Sequence, residues 1–310
     1  MTFLQADTLW WDGRLRSGAL HRTADGCELV ASAPDGQRIP GTLLPGLTDA
    51  HVHLGLADLG AVRAGGIAEV WDLGGALPSV KVPEGVRYAG QFLTAPGGYP
   101  GDRAWAPPGS WREVRSPADG AEAVAEQDGA SFIKVTLHAG GPLLDLPTVT
   151  AIASSAHGAG LPLIVHAEGP GTVETALEAG ADLLAHTPWT APLDDGVLRA
   201  AAGQTTWIST LDIHGWGAET PSLVTAIGNL RLFLSYGGTV RYGTDLGNGP
   251  LVPGINAREI RGLQRAGLSP ADILTAMTPS AAALPPSWIP AGLDLAPARF
   301  ADSLATARVF

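Results

Sequence analysis

The strongest constraint on the fold is a regular alternation of short β-rich runs with alanine-rich runs, which begins near residue 43. A strand followed by a helix and then by another strand forms a parallel βαβ unit. Eight runs have strand character, and they cover residues 43–53, 68–74, 86–94, 132–137, 161–167, 181–186, 205–210 and 240–245. Eight such units over about 240 residues predict an α/β fold of the (β/α)8 barrel type.

The runs between these strands have helical composition. Predicted helices cover 117–130, 146–160, 172–181, 195–203 and 221–233, and a further helix at 269–284 follows the eighth strand. The segment 95–115 is rich in Pro, Gly and Trp. That composition is unfavourable for a helix and predicts a long loop after the third strand.

Both ends of the chain differ from the middle. Residues 1–42 contain short alternating segments separated by Asp-Gly turns at 12–13, 25–26 and 35–36. This pattern is typical of short antiparallel strands joined by tight turns. The tail 297–310 ends in another alternating run, and we expect it to return and pair with the N-terminal strands.

Composition narrows the functional classes. The net charge of −11 argues against a general nucleic-acid surface, because phosphate binding needs clustered Lys and Arg. Cys27 is the single cysteine, which excludes an intramolecular disulfide and a cysteine metal site. The N-terminus lacks the features of a secretory signal, and no apolar run approaches the ~18 residues of a membrane span. The sequence therefore predicts a cytoplasmic protein without a nucleic-acid or membrane partner; homo-oligomerisation stays open.

Six residues at or near the ends of predicted strands have side chains that bind metals or transfer protons. In (β/α)8 barrel enzymes, the catalytic residues lie at the C-terminal ends of the strands. Residues i and i+2 of a strand share a face, so the two histidines of the first strand point the same way. The six are His51, His53, Lys134, His166, His186 and Asp245.

These residue types suit a pair of divalent cations. Neutral imidazole and carboxylate oxygen are good ligands for Zn²⁺ and similar ions. Lys134 is unusual, because an ammonium group has no lone pair and is costly to bury in an apolar strand. A deprotonated lysine reacts with CO₂ to form a carbamate, whose two oxygens can bridge two metals. The alternative is a strand-end lysine that extends its ammonium to solvent.

Several motifs around these residues resemble the amidohydrolase superfamily. PGLTDAHVHLG, FIKVTLHAGG, VHAEG, AHTPW and YGTDLG are similar to its signatures for strands 1, 4, 5, 6 and 8. The pattern most resembles binuclear members of the imidazolonepropionase-like and prolidase-like branch. The resemblance implies a (β/α)8 TIM barrel over 43–289. It also implies a small β-sandwich domain built from 1–42 plus 290–310.

The resemblance implies a mechanism and a role for each residue. His51, His53 and Asp245 would hold a buried metal, His166 and His186 a more exposed one, and carboxylated Lys134 would bridge both. A metal-bridging hydroxide would cleave a C–N bond of an amide or peptide-like substrate, with Asp245 as the catalytic proton carrier. The imidazole-rich ligand set favours Zn²⁺, and Mn²⁺ or Fe²⁺ could occupy the same ligands. Four residues after strand ends are predicted to contact substrate, although aromatic residues there are as often packing: Tyr99, His138, Trp189 and His214.

Three alternatives stay open. A mononuclear enzyme with unmodified Lys134 would be a cyclic-amide hydrolase or a deaminase on the same fold. A lactonase or a carbamate hydrolase would use the same two metals. A non-catalytic relative would be a binding protein, although such relatives usually lose ligands.

Overall fold

The computed structural model describes residues 2–23, 26–33, 35–77, 81–279 and 284–310. Its strands are β1 (Thr2–Trp11), β2 (Arg14–Arg16), β3 (Ala19–Thr23), β4 (Gly26–Val30), β5 (Gln37–Leu44), β6 (Leu47–Val52), β7 (Ile67–Asp72), β8 (Val86–Tyr88), β9 (Phe92–Thr94), β10 (Trp111–Glu113), β11 (Ile133–His138), β12 (Leu163–Glu168), β13 (Leu183–Leu184), β14 (Thr206–Ile208), β15 (Thr239–Arg241), β16 (Ser287–Ile289) and β17 (Arg308–Val309). Its helices are α1 (Leu59–Ala64), α2 (Pro117–Ala125), α3 (Leu146–Gly158), α4 (Thr172–Glu178), α5 (Asp195–Gln204), α6 (Pro221–Ser235), α7 (Ala257–Ala266), α8 (Pro270–Ala276) and α9 (Pro297–Leu304). Short 3₁₀ helices occupy Leu54–Leu56 and Asp212–His214.

The largest parallel sheet has seven strands in the order β10-β9-β11-β12-β13-β14-β15. Between most of its strands the chain forms a helix that packs on the sheet, so the predicted α/β class is confirmed. The five predicted helices from 117 to 233 are present as α2 to α6. Side chains cap several of them: Ser116 accepts from Asp119 N at the start of α2, and Thr220 from Leu223 N at the start of α6.

A second parallel sheet, β6-β7-β8, lies beside the first. The predicted third strand, 86–94, is split: β8 pairs with β7, whereas β9 pairs with β11. On the other side of β6, Ala50 N donates to Tyr242 O (2.9 Å) and Asp245 N donates to His51 O (2.8 Å). The chain after β15 therefore lies against the strand that carries the two N-terminal histidines.

An apolar layer lies beneath the polar ends of these strands. Phe132 and Ile164 each lie two residues before a candidate ligand, Lys134 and His166 respectively, and so share its face. Both belong to a buried cluster with Trp71 and other apolar side chains from the neighbouring strands. The candidate ligands Lys134 and His166 therefore lie directly above a close-packed apolar layer.

Residues from both chain ends form one seven-stranded sheet in the order β17-β16-β5-β1-β3-β4, with β2 attached to β1. The predicted antiparallel hairpins are present as β1–β2 and β3–β4, but β1 and β5 pair in parallel. The tail pairs only through its last strand, and it does so with β16 rather than with an N-terminal strand. The β-sandwich arrangement stays a prediction.

Four helical segments differ from the expectations of the sequence. The predicted helix 269–284 ends at Ala276, and its residues 280–283 lie outside the described part of the chain. The tail 297–304 forms α9 because Phe300, Ala301 and Leu304 recur at helical spacing and are buried. Helices α1 and α7 were not predicted. Among the described residues, no helix is both long enough and apolar enough to cross a membrane.

Ser287 joins the terminal sheet to the parallel strands, and its removal should destabilise the protein. Its fully buried hydroxyl accepts a hydrogen bond from Leu47 N (3.1 Å) and donates one to Gly66 O (3.0 Å). Ser287→Ala leaves both backbone groups buried without a partner, which we expect to cost about 1–3 kcal/mol in urea unfolding. The exposed Ser235→Ala is the control and should change stability by less than about 0.5 kcal/mol. Equal effects of the two variants would contradict the assignment.

Candidate metal centre

A cavity of about 440 Å³ opens at the C-terminal ends of the parallel strands. Two of the candidate ligands come from β6 or the residue after it, two from β11 and β12, and two from the segments that follow β13 and β15. The structure therefore brings together residues that are up to about 190 positions apart in the sequence. All six candidates line this cavity: His51, His53, Lys134, His166, His186 and Asp245.

Asp245 lies at the junction of the two histidines from β6. Its Oδ1 is 3.1 Å from His51 Nε2 and 3.1 Å from His53 Nε2. Its Oδ2 accepts a hydrogen bond from Asn248 Nδ2 (2.9 Å). Burial favours the neutral acid, but the neighbouring imidazoles of His51 and His53 hold the pKa of Asp245 well below its usual value.

The other nitrogen of each of these rings is already used. His51 Nδ1 donates to Ala185 O (2.8 Å), and His53 Nδ1 donates to Gly74 O (3.1 Å). In a neutral imidazole the Nε2 atom then carries a lone pair. Two such lone pairs and a carboxylate oxygen of Asp245 converge, and this convergence requires a proton or a cation between them. A histidine fixed through its second nitrogen by a carbonyl is also the usual arrangement around bound metals.

His186 and His166 are held in the same way. His186 Nδ1 shares a hydrogen bond with the Thr210 hydroxyl (2.9 Å), which leaves Nε2 free. His166 Nε2 donates to Glu168 Oε2 (3.1 Å), which leaves Nδ1 free. Burial lowers the pKa of both imidazoles, so the neutral form that binds metals is favoured. The donor set therefore fits a divalent metal.

Lys134 is buried, and only 1% of its surface is exposed. Its Nζ has no hydrogen-bond partner among the described residues. Burial lowers the pKa of this amine to about 7, so much of it is unprotonated near neutral pH. An unprotonated amine is the form that reacts with CO₂. Lys134 is therefore not a strand-end lysine that extends its ammonium to solvent.

In the part of the chain that the structure describes, potential ligand atoms form two compact groups, within each of which the atoms lie within 4.8 Å of one another. The first group consists of His51, His186 and Asp245. The second group consists of His138, His166 and Glu168. His138 Nδ1 is 2.8 Å from Glu168 Oε2, but the contact does not have hydrogen-bond geometry. The predicted substrate contact His138 is not among the described residues that line the cavity.

Sequence reasoning assigned no role to Glu168 or Thr210, although each holds a candidate ligand. The rule that residues i and i+2 of a strand share a face identifies Glu168, which follows His166 by two positions. Thr210 has no such local signal. Its backbone has a positive φ of 42°, which a threonine rarely adopts, and only the folded chain shows its contact with His186.

Rings surround the mouth of the cavity. Three of the predicted substrate contacts, Tyr99, Trp189 and His214, line it. Tyr99 stacks on His166 at 5.0 Å between ring centroids, and Trp189 stacks on His214 at 4.6 Å. Further rings in the lining come from Phe92, Trp105 and Trp216.

A buried polar network holds the 3₁₀ helix that carries His214. Asp212 N donates to Glu259 Oε2 (2.7 Å), and the Asp212 carboxylate accepts from Asn256 Nδ2 (2.8 Å) and Arg258 Nε (2.9 Å). Glu259 is completely buried in α7. Burial raises the pKa of its carboxyl to about 7.

Solved structures match this fold, although no family model and no curated protein matches the chain. The ochratoxinase of A. niger superposes with a TM-score of 0.73 at 20% identity, over 90% of this chain and 83% of that chain. A prolidase complexed with N-methylphosphonate-L-proline has a TM-score of 0.73 at 18% identity, over 99% and 96%. Molinate hydrolase has a TM-score of 0.71 at 16% identity, over 99% and 92%.

The chain has the fold of these hydrolases. A structure named an amidohydrolase also matches, with a TM-score of 0.68 at 20% identity, over 89% of this chain and 85% of that chain. The resemblance to the amidohydrolase superfamily, with prolidases among the matches, is therefore confirmed at the level of the fold.

The raised pKa of Glu259 predicts a pH-dependent contribution to stability. The unfolded carboxyl titrates near 4.5 and the folded one near 7, so this contribution is complete below the first value. It is lost as the pH rises through the second value, because the folded state must then bury a charge. Glu259→Gln removes the titration.

We therefore expect the stability of Glu259→Gln relative to wild type to improve by ~3 kcal/mol between pH 5 and pH 8, measured by urea unfolding. The control is Glu219→Gln, since Glu219 is exposed and pairs with Arg265. Its relative stability should stay nearly constant over this range. A constant difference for Glu259→Gln would show that its buried carboxyl does not titrate as described.

Proposed function

We propose that this protein is a metal-dependent hydrolase that cleaves a C–N amide-like bond of a small substrate. The observation that carries the proposal is the convergence of His51 Nε2 and His53 Nε2 on Asp245 Oδ1 at 3.1 Å. Buried Lys134, with its unpartnered Nζ, lies in the same cavity. The matching structures named ochratoxinase, prolidase and molinate hydrolase are all hydrolases, which supports the reaction class.

The proposed centre holds two divalent cations, and Zn²⁺ suits its imidazole-rich donor set. One cation would be held by His51, His53 and Asp245. The other would be held by His166 and His186, through nitrogens that their hydrogen bonds leave free. Lys134, carboxylated by CO₂, would bridge the two.

When bound, two cations supply Lewis acidity, which lowers the pKa of a water to near neutrality and polarises a carbonyl oxygen. Asp245 transfers the proton in this mechanism. Its carboxylate accepts a proton from the attacking water and delivers it to the leaving nitrogen, so that the amine departs neutral and the carbonyl carbon gains an oxygen. Asn248, which donates to Asp245 Oδ2, orients this carboxylate.

A mononuclear enzyme is the second candidate. His51, His186 and Asp245 alone form a compact group of potential ligand atoms, which supports a single cation. Lys134 would then be an unmodified amine, and the substrate a cyclic amide or an amine that is deaminated. A lactonase would use the binuclear centre instead.

The proposal includes a closed (β/α)8 barrel, with the two chain ends in a small β-sandwich. The bonds from Ala50 N to Tyr242 O and from Asp245 N to His51 O support closure. The seven-stranded terminal sheet is the part of the fold that a sandwich would use. The cytoplasmic location and the absence of a nucleic-acid or membrane partner stay predictions of the sequence.

Metal content tests the centre directly, and the chain supplies its own control because it has only two lysines, Lys81 and Lys134. We expect about two equivalents of metal per chain by elemental analysis, and a single ¹³C-carbamate signal after exchange with ¹³C-bicarbonate. Lys134→Ala should lose the signal and part of the metal, whereas exposed Lys81→Ala should keep both. One equivalent that is unaffected by Lys134→Ala would favour the mononuclear enzyme. Absence of metal would indicate a binding protein.

Asp245→Asn tests the proton carrier. Because an amide cannot accept and return the proton, kcat should fall by about 10²–10⁴-fold on any amide that the wild type cleaves. The far-UV circular dichroism spectrum should stay that of the wild type. Exposed Asp302→Asn is the matched control and should leave kcat unchanged. A fully active Asp245→Asn enzyme would remove Asp245 from the mechanism.

A further inference from the structure

Two clusters of rings border the proposed metal centre. The first ring cluster is Phe92, Tyr99 and Trp105, from β9 and the loop after it, with centroid distances of 6.1 Å from Phe92 to Trp105 and 6.0 Å from Tyr99 to Trp105. The second ring cluster is Trp189, His214 and Trp216, from the loops after β13 and β14. Tyr99 and Trp189 both contact the ring of His166, at 5.0 and 5.9 Å. Flat apolar surface therefore extends from the metal ligands to the mouth.

His214 adds an unused polar atom to the second cluster. It lines the cavity, and its buried Nε2 has no hydrogen-bond partner among the described residues. Burial lowers the pKa of this imidazole to about 4, so the ring is neutral at physiological pH. A buried polar atom without a partner is costly, and a neutral polar group of a bound molecule would satisfy it.

The charge around the rings disfavours an anionic ligand. Glu168 lines the cavity, and its Oε2 accepts a hydrogen bond from His166 Nε2 (3.1 Å), so an acidic side chain stands beside the rings. Arg103 lies 5.6 Å from the ring of Tyr99 but pairs with Asp102, and Arg258 pairs with buried Asp212. Among the described residues that line the cavity, Lys134 is the only lysine or arginine, and the proposed centre uses it. The residues outside the described part contain neither type.

We infer that the substrate is an uncharged amide with a flat aromatic group, and that the site discriminates against amides with a free carboxylate. This inference rests on the proposed hydrolase function. The aromatic group stacks against the ring clusters, and a neutral polar substituent pairs with His214 Nε2. A carboxylate in that position would face Glu168 without a free cation to bind it.

Equilibrium binding tests the inference without relying on turnover. The probes are three benzamides, whose nitrogen carries a 4-carbamoylphenyl, a 4-carboxyphenyl or a cyclohexyl group. They are titrated calorimetrically into metal-loaded Asp245→Asn enzyme, in which turnover should be about 10²–10⁴-fold slower than in the wild type. We expect the carbamoylphenyl compound to bind at least about tenfold more tightly than each of the others. Equal binding of the three, or no binding of any, would overturn the inference.

Variants identify the residues responsible, each built on Asp245→Asn. Trp189→Ala should weaken the carbamoylphenyl compound about tenfold, and Trp189→Phe should restore most of that loss. Leu232→Ala, on the exposed face of α6, is the control. Glu168→Gln should reduce the preference over the carboxyphenyl compound several-fold, a ratio that general loosening of the site would not change. An unchanged ratio would exclude Glu168 as the selective group.

The two proposals can fail separately. If metal binds and some amide is cleaved, but the binding preference is absent, the substrate class is wrong and the hydrolase stands. If metal does not bind, the hydrolase itself is wrong.

Discussion

The pairing between β6 and the chain after β15 is the constraint on which the site depends. Asp49, buried on β6, accepts hydrogen bonds from Thr244 N (3.0 Å) and from the Thr244 hydroxyl (2.6 Å). Asp245 N donates to the carbonyl of His51. These bonds join segments that are almost 200 residues apart. Without them, the carboxylate of Asp245 would not lie next to the imidazoles of His51 and His53, and these three side chains could not bind one cation together.

The cavity and its polar side chains reduce the stability of the folded protein. Several polar side chains are buried above an apolar layer, where unpaired polar atoms and charges are unfavourable. Non-glycine residues with positive φ occur here as well, at Thr210 (42°) and Asp245 (58°), and each is tied to a candidate ligand. Strained backbone of this kind persists only where the surrounding structure enforces it, and it clusters at functional sites.

The rings that line the cavity are held in place differently from the candidate metal ligands. The ligands stand on strands or directly after them, where packing fixes their direction. Most of the rings stand on the loops after β9, β13 and β14, and are held by contacts with one another and by networks such as that of Asp212 and Glu259. Loops of this type can vary in sequence without disturbing the core.

The sequence by itself determined the α/β class, the positions of most strands and helices, and the six residues that converge in the cavity. It could do so because parallel strands all end at the same edge, so polar residues at strand ends such as His166 and His186 must meet. Local alternation also identified the hairpins of the N-terminal sheet. These features depend on patterns within a few residues of one another.

Only the tertiary structure decided the rest. The parallel pairing of β1 with β5, the split of the third strand and the helix in the tail depend on which distant segments pack together. Thr210 forms a hydrogen bond with His186, which is 24 positions away, and Arg258 pairs with Asp212, which is 46 positions away. No local sequence pattern predicts either contact. The parallel strands bring the candidate ligands to one edge of the sheet. Long-range contacts decide which imidazole nitrogen of each histidine is free, that Arg258 is already paired, and where the aromatic rings of the cavity lie.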